Sequence, residues 1–165
     1  MIPSVDLAIE AKGWPDERTL TSWFDAALRA AGEELALGDG LAMGEISVVL
    51  CDDTSMQAIN REHRGQDKPT NVLSFPGLEA KELADLTGAT PFLLGDLVFA
   101  LETIEREALA AGVSVHHHMV HLIVHGFLHL LGYDHELENE AEAMEALETR
   151  ILAKLDIPDP YRVGG

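Results

Sequence analysis

The chain opens on an alternation. From residue 4 to residue 10, apolar Val5, Leu7 and Ile9 fall on every second position with Asp6 and Ala8 between them, and a period of two predicts a strand. Gly13-Trp14-Pro15-Asp16 reads as a turn. The period then lengthens. Trp23, Phe24, Ala27, Leu28 and Ala31 recur at helical spacing, which predicts a helix capped by Thr19 or Thr21. Gly38-Asp39-Gly40 is a loop. Residues 45–50 (EISVVL) are short and β-branched, a second strand. Asp52 or Asp53 caps a helix carrying Met56 and Ile59 that ends near His63. A loop stiffened by Pro69 follows over 64–70, then a strand over 71–75 stopped by Pro76. Residues 77–91 are mixed and acidic, a long mobile loop, and 93–100 read as another strand.

From there the pattern is helical. Residues 102–111 form a helix stopped by Gly112, and Ser114 caps the next, over 115–131. That helix carries Leu122, Ile123, Val124, Phe127, Leu128, Leu130 and Leu131, apolar on most sides, which marks a core helix. In the last helix, over 137–155, Leu137, Ala141, Met144, Leu147, Ile151 and Leu155 recur at threes and fours. The order of elements predicts an α+β fold in one domain spanning residues 1–165. It would be a mixed β-sheet of about four strands, packed by helices.

Composition narrows the function classes. A chain of 165 residues with 47% hydrophobic positions holds one real core. No apolar run is long enough for a membrane span, and the N-terminus lacks the basic and apolar regions of a signal peptide. The expected compartment is the cytoplasm. The single cysteine, Cys51, has no internal disulfide partner and reads as a buried small apolar residue. The net charge of −18 argues against a nucleic-acid partner, because phosphate binding usually needs a basic footprint. That objection weakens if the acids of 79–85, 102–107 and 136–148 lie away from the site while Arg61, Arg64 and Lys68 gather.

The chemistry concentrates in 121–135, HLIVHGFLHLLGYDH. His125 and His129, four apart on a helix, stack one turn above the other and can share a metal ion. Gly132 can end the helix in a left-handed conformation, so that the chain turns back and His135 adds a third nitrogen. This predicts a central metal-binding helix with His125, His129 and His135 as ligands of one divalent ion, zinc first among the candidates. A fourth position stays open for water. The spacing matches HExxHxxGxxH of the metzincin peptidases, with Gly126 where those carry glutamate. Gly126 would admit a backbone element or substrate beside the metal. His121 is a rival partner for His125, but that pairing leaves Gly132 and His135 unexplained. His116, His117 and His118 read as a solvated helix start. Asp134 is either an acceptor that orients a ligand ring or a turn former. Arg64 is the strongest cation for a phosphate, by its guanidinium fork.

The stretch HGFLHLLGYDH resembles the HGxLHLxGYDH signature of the YbeY family. Residues 63–76, HRGQDKPTNVLSFP, resemble that family's RxKxxPTxVLSFP block, and Leu94-Gly95-Asp96-Leu97-Val98 is similar to its LGDI strand. The resemblance covers roughly residues 45–161. It implies a metal-dependent hydrolase, a single-strand-preferring endoribonuclease of ribosomal RNA maturation at the small-subunit 3′ end and of ribosome quality control. A metal-bound water and Arg64 would act at the scissile phosphate. It also implies partners, namely ribosomal RNA and the ribosome or its small-subunit proteins, with no membrane. Lys68 would be a phosphate contact, and Thr70, Asn71 and Ser74 would line the cleft. Many members carry Asp where this chain has Asn71. The general base stays open between metal hydroxide, Asp134, Glu136 and none, and an RNA 2′-OH is an alternative nucleophile. Two other functions compete: a metallohydrolase of another bond, and a ribosome-assembly adaptor with a structural metal.

Overall fold

A computed structural model describes residues 2–134 and 137–161. Strand β1 (Ser4–Ile9) leads through the Gly13–Asp16 turn into helix α1 (Glu17–Glu34). A 3₁₀ turn at Asp39–Leu41 precedes β2 (Gly44–Cys51), α2 (Asp53–Arg64) and β3 (Val72–Pro76). A short helix α3 (Ala80–Ala84) leads to β4 (Phe92–Ala100), and α4 (Leu101–Ala111), α5 (Val115–Leu130) and α6 (Glu138–Ala153) complete the chain. The strand order is β1-β2-β4-β3, with β1/β2 and β2/β4 parallel and β3/β4 antiparallel. The fold is therefore α+β around one mixed sheet of four strands, as predicted.

Alternation decides which side chain goes to which face. Ile46, Val48 and Leu50 of β2 and Leu97 and Phe99 of β4 face a large core with α1, α4, α5 and α6. Val98 and Ala100 of β4 turn the other way, with Cys51, onto Met56 of α2. Helix α5 buries Met119, Val120, Ile123, Val124, Phe127 and Leu128 and is the central helix of the fold. Cys51 is 1% exposed, a small buried residue, and burial raises its thiol pKa to about 11. No helix among the described residues is long and apolar enough to cross a membrane.

Local predictions differ at three points, and one pair of alternatives is resolved. The cap of α1 is Asp16, whose side chain accepts from Thr19 N at 2.8 Å, so Thr19 and Thr21 lie inside the helix. Of the two residues expected to cap α2, Asp52 does so, accepting from Ser55 N, and Asp53 is the first helical residue. The stretch 77–91 is not all loop: it holds one turn of helix, α3, whose Glu82 side chain accepts from Glu79 N at 3.0 Å. Pro76 does not stop β3 but belongs to it. β3 is a sheet edge. Asn71 C=O accepts from Ala100 N, and Gly77 N–H donates to Leu94 O, so both face β4. The intervening outward positions are Val72, Ser74 and Pro76, and an outward slot is where a residue without an N–H costs nothing.

Candidate active site

The site is built on the last two turns of α5. His125 Nε2 and His129 Nε2 lie 3.1 Å apart, with the rings edge to face. Gly132 has φ +97°, Gly132 N–H donates to His129 O and Tyr133 N–H donates to Leu128 O. That is the glycine-terminated helix end expected from the sequence, and it reverses the chain toward Asp134. The third predicted ligand, His135, and the base candidate Glu136 lie outside the described residues. Among the described residues no group of three metal-ligating side chains forms.

The pair nonetheless fits a metal. Two nitrogens bound at 2.0–2.1 Å on a tetrahedral ion sit about 3.3 Å apart, close to the separation seen. Each ligand needs its other ring nitrogen held. That nitrogen of His125 faces Glu148, on α6. Its Oε2 is 3.1 Å from His125 Nδ1, while its Oε1 is 2.8 Å from His121 Nε2 and accepts from the Tyr161 hydroxyl at 2.7 Å. Glu148 is fully buried. Burial alone would raise its pKa, but hydrogen bonds and charge from His121 and His125 outweigh that and hold it at about 2. Burial first, and Glu148 second, raise the Tyr161 phenol.

Glu148 and Tyr161 were missed in the sequence. His121, the rival ligand, turns its Nε2 to Glu148 and Tyr161. The 116–118 run is not simply solvated: the His116 ring stacks on Trp23 with centroids 4.8 Å apart, and His118 Nε2 lies 2.8 Å from Glu107 Oε1. The same carboxylate accepts from Asn71 Nδ2 at 3.0 Å. So Glu107 and Glu148, both from acidic runs expected to lie away from the site, reach its walls.

A cavity of about 810 Å³ opens in front of the histidines. His125, His129, Tyr133 and Asp134 form one wall, and Arg64, Lys68, Thr70, Asn71 and Ser74 line the other. Every described residue proposed for the site from sequence is therefore on one cavity. Arg64 sits at the end of α2, donates from Nη2 to Ser74 O at 3.4 Å and stacks over Phe75. Arg61 does not join it, being paired with Asp67 at 3.5 Å. Asn71 is committed through its amide to Glu107 and through its Oδ1 to Val72 N. Gly126 lies against side chains of the sheet. A Cβ there would meet Leu97 Cδ2 at 2.8 Å and Ser74 Oγ at 3.5 Å, so the missing side chain lets α5 lie close on β4.

The family model described as Endoribonuclease YbeY matches residues 8–156. A protein of that name from Allorhizobium ampelinum is 52% identical over 160 residues, covering 95% of this chain and 93% of its own. One from Sinorhizobium medicae is 48% identical over 162 residues, covering 95% and 94%. The solution structure of TM1509 from Thermotoga maritima is similar in fold, with a TM-score of 0.57 and 22% identity over 98% of each chain. Two matches of about half identity over nearly whole chains, and a family model over most of the sequence, give one conclusion: the chain belongs to the YbeY family of endoribonucleases, which are hydrolytic enzymes.

Proposed function

We propose that this protein is a metal-dependent endoribonuclease that cleaves single-stranded ribosomal RNA, in maturation of the small-subunit 3′ end and in ribosome quality control. The observation that carries the reading is the meeting of the His125–His129 nitrogen pair and Arg64 on one open cavity. His125 and His129 would hold the ion, with His135 as third ligand. An all-nitrogen donor set suits zinc. The ion supplies Lewis acidity toward phosphate oxygens and water.

The chain's own groups do the rest. Arg64, on the cavity, would offer N–H donors where charge builds on phosphate oxygens. Lys68 offers a further cation to the backbone, and Thr70 and Ser74 offer hydroxyls. Asn71 is a wall residue whose amide is held by Glu107. Tyr133, 40% exposed, presents a ring on which an unstacked base can lie, which favours single strands. Asp134 is the carboxylate among the described cavity residues and would be the proton acceptor in this reading. Small-subunit proteins are fitting partners, since basic ribosomal proteins complement a chain of net charge −18. The compartment in this reading is the cytoplasm.

The test is cleavage of a single-stranded ribosomal RNA fragment by metal-loaded protein, with His129→Ala and Arg64→Ala from the same purification. His129→Ala should fall to background and Arg64→Ala by about 10²–10³-fold, the usual loss for a transition-state donor. Equal rates in all three proteins would mean a contaminating nuclease. No cleavage by any would shift the reading to a ribosome-assembly role.

A further inference from the structure

The metal reading uses Nε2 of His125, and its other ring nitrogen faces Glu148. Nδ1 lies 3.3 and 3.1 Å from the two carboxylate oxygens of Glu148. A glutamate with no exposed surface is an expensive residue unless it is paired. Here it collects three partners: His125, His121 and the Tyr161 hydroxyl. The three come from two parts of the chain, α5 and the segment after α6. Such a convergence does more than neutralise a charge. It fixes both oxygens of the carboxylate in space, and with them the ring of His125.

We propose that Glu148 is the positioning residue for His125, with Tyr161 and His121 holding its carboxylate in place. This rests on the metal reading of the preceding section. A carboxylate opposite Nδ1 selects the ring form with the proton on Nδ1. The Nε2 lone pair then points toward His129 Nε2, 3.1 Å away. The negative charge makes that lone pair a stronger donor, and the fixed ring keeps it aimed. Tyr161 acts one step further out, since its O–H supplies Glu148 with a donor that does not depend on α5.

The test uses the full chain, with Glu148→Gln and Tyr161→Phe beside the parent. Zinc affinity is read by competition with a chromophoric chelator. The tautomer of the neutral His125 ring is read in metal-free protein by long-range ¹H–¹⁵N correlation. Gln keeps the volume of Glu and so guards against simple loss of the fold; the thermal unfolding of each variant is recorded alongside. Glu148→Gln should weaken zinc about 10–100-fold, the usual range for partners of ligating histidines, and lower the Nδ1–H population. Tyr161→Phe should give a smaller loss in the same direction. A parent that binds zinc beside a Gln variant that binds it equally overturns this proposal alone. A weaker zinc site with an unchanged tautomer also counts against it. A parent with no zinc affinity overturns the metal reading, and this proposal with it.

Discussion

Gly126 stands where a zinc peptidase of the same histidine spacing carries its glutamate. The structure gives a packing reason for the departure: a Cβ at this position already meets Leu97 Cδ2 at 2.8 Å, and Leu97 is 1% exposed, with little room to yield. Gly126→Glu should therefore bring no peptidase chemistry. It should destabilise the protein by about 3 kcal/mol or more, from overpacking with a buried carboxylate on top. Urea unfolding reads this, and a variant as stable as the parent would show that the sheet does not dictate the glycine. The histidine pair was legible because helical period alone places residues four apart on one face. Glu148 was legible in principle and passed over. It lies on the stripe of Met144, Leu147, Ile151 and Leu152, all buried, and a charge on a buried stripe calls for a partner. Tyr161 gave no such signal, because its partner lies 13 residues back and only the packed tail brings them together.

Helices α2 and α4 start side by side and cap one another. Glu102 Oε1 accepts from Asp53 N at 2.6 Å, while Asp53 Oδ1 accepts from Thr103 N at 3.0 Å and from Thr103 Oγ1 at 2.8 Å. Arg106 Nη2 adds a bond to Asp53 Oδ2 at 2.9 Å. Burial alone would raise the Asp53 pKa, but the bonds from Thr103 and Arg106 outweigh it and depress it. Two consequences follow from the sign. The stabilisation is fully present above the unfolded carboxylate's pKa of about 3.9 and is lost as pH falls below that toward the folded value. Asp53→Ala should cost about 1–2 kcal/mol near neutral pH, as lost caps do, and much less in acid. Chemical unfolding of parent and variant from pH 7 to pH 3 measures both; a pH-independent difference would assign the effect to packing. In the sequence, Asp52-Asp53 announced a helix start but not which residue capped it. The partner helix begins about fifty positions on, beyond the reach of local pattern. α3 escaped for a different reason: five residues are too few to display a period.

For the whole molecule the problem is charge. A field of −18 repels RNA at long range, so attraction must be local. Several cations are spent on neighbours: Arg29 on Asp25, Arg61 on Asp67, Arg106 on Asp53 and Arg150 on Glu34. Arg64 and Lys68 face the cavity. Two phosphate contacts to a single strand give a slope of log K against log salt of about −1.4. Fluorescence anisotropy of a labelled RNA across a potassium chloride series should find a slope this shallow, and one steeper than about −4 would require cations beyond these two. The strands and every helix but α3 were readable, whereas the cavity depends on contacts between distant elements that no local period records. Arg64 also does something at β3 that has nothing to do with substrate. An edge strand whose outward groups stand open is a template on which a second molecule can add its own strand. In β3 one outward slot is Pro76, which has no N–H to offer, and the outward carbonyl of Ser74 is taken by Arg64. Arg64 thus shields this edge together with Pro76, and under the proposed phosphate role its loss should leave the protein less active and also more inclined to aggregate on storage.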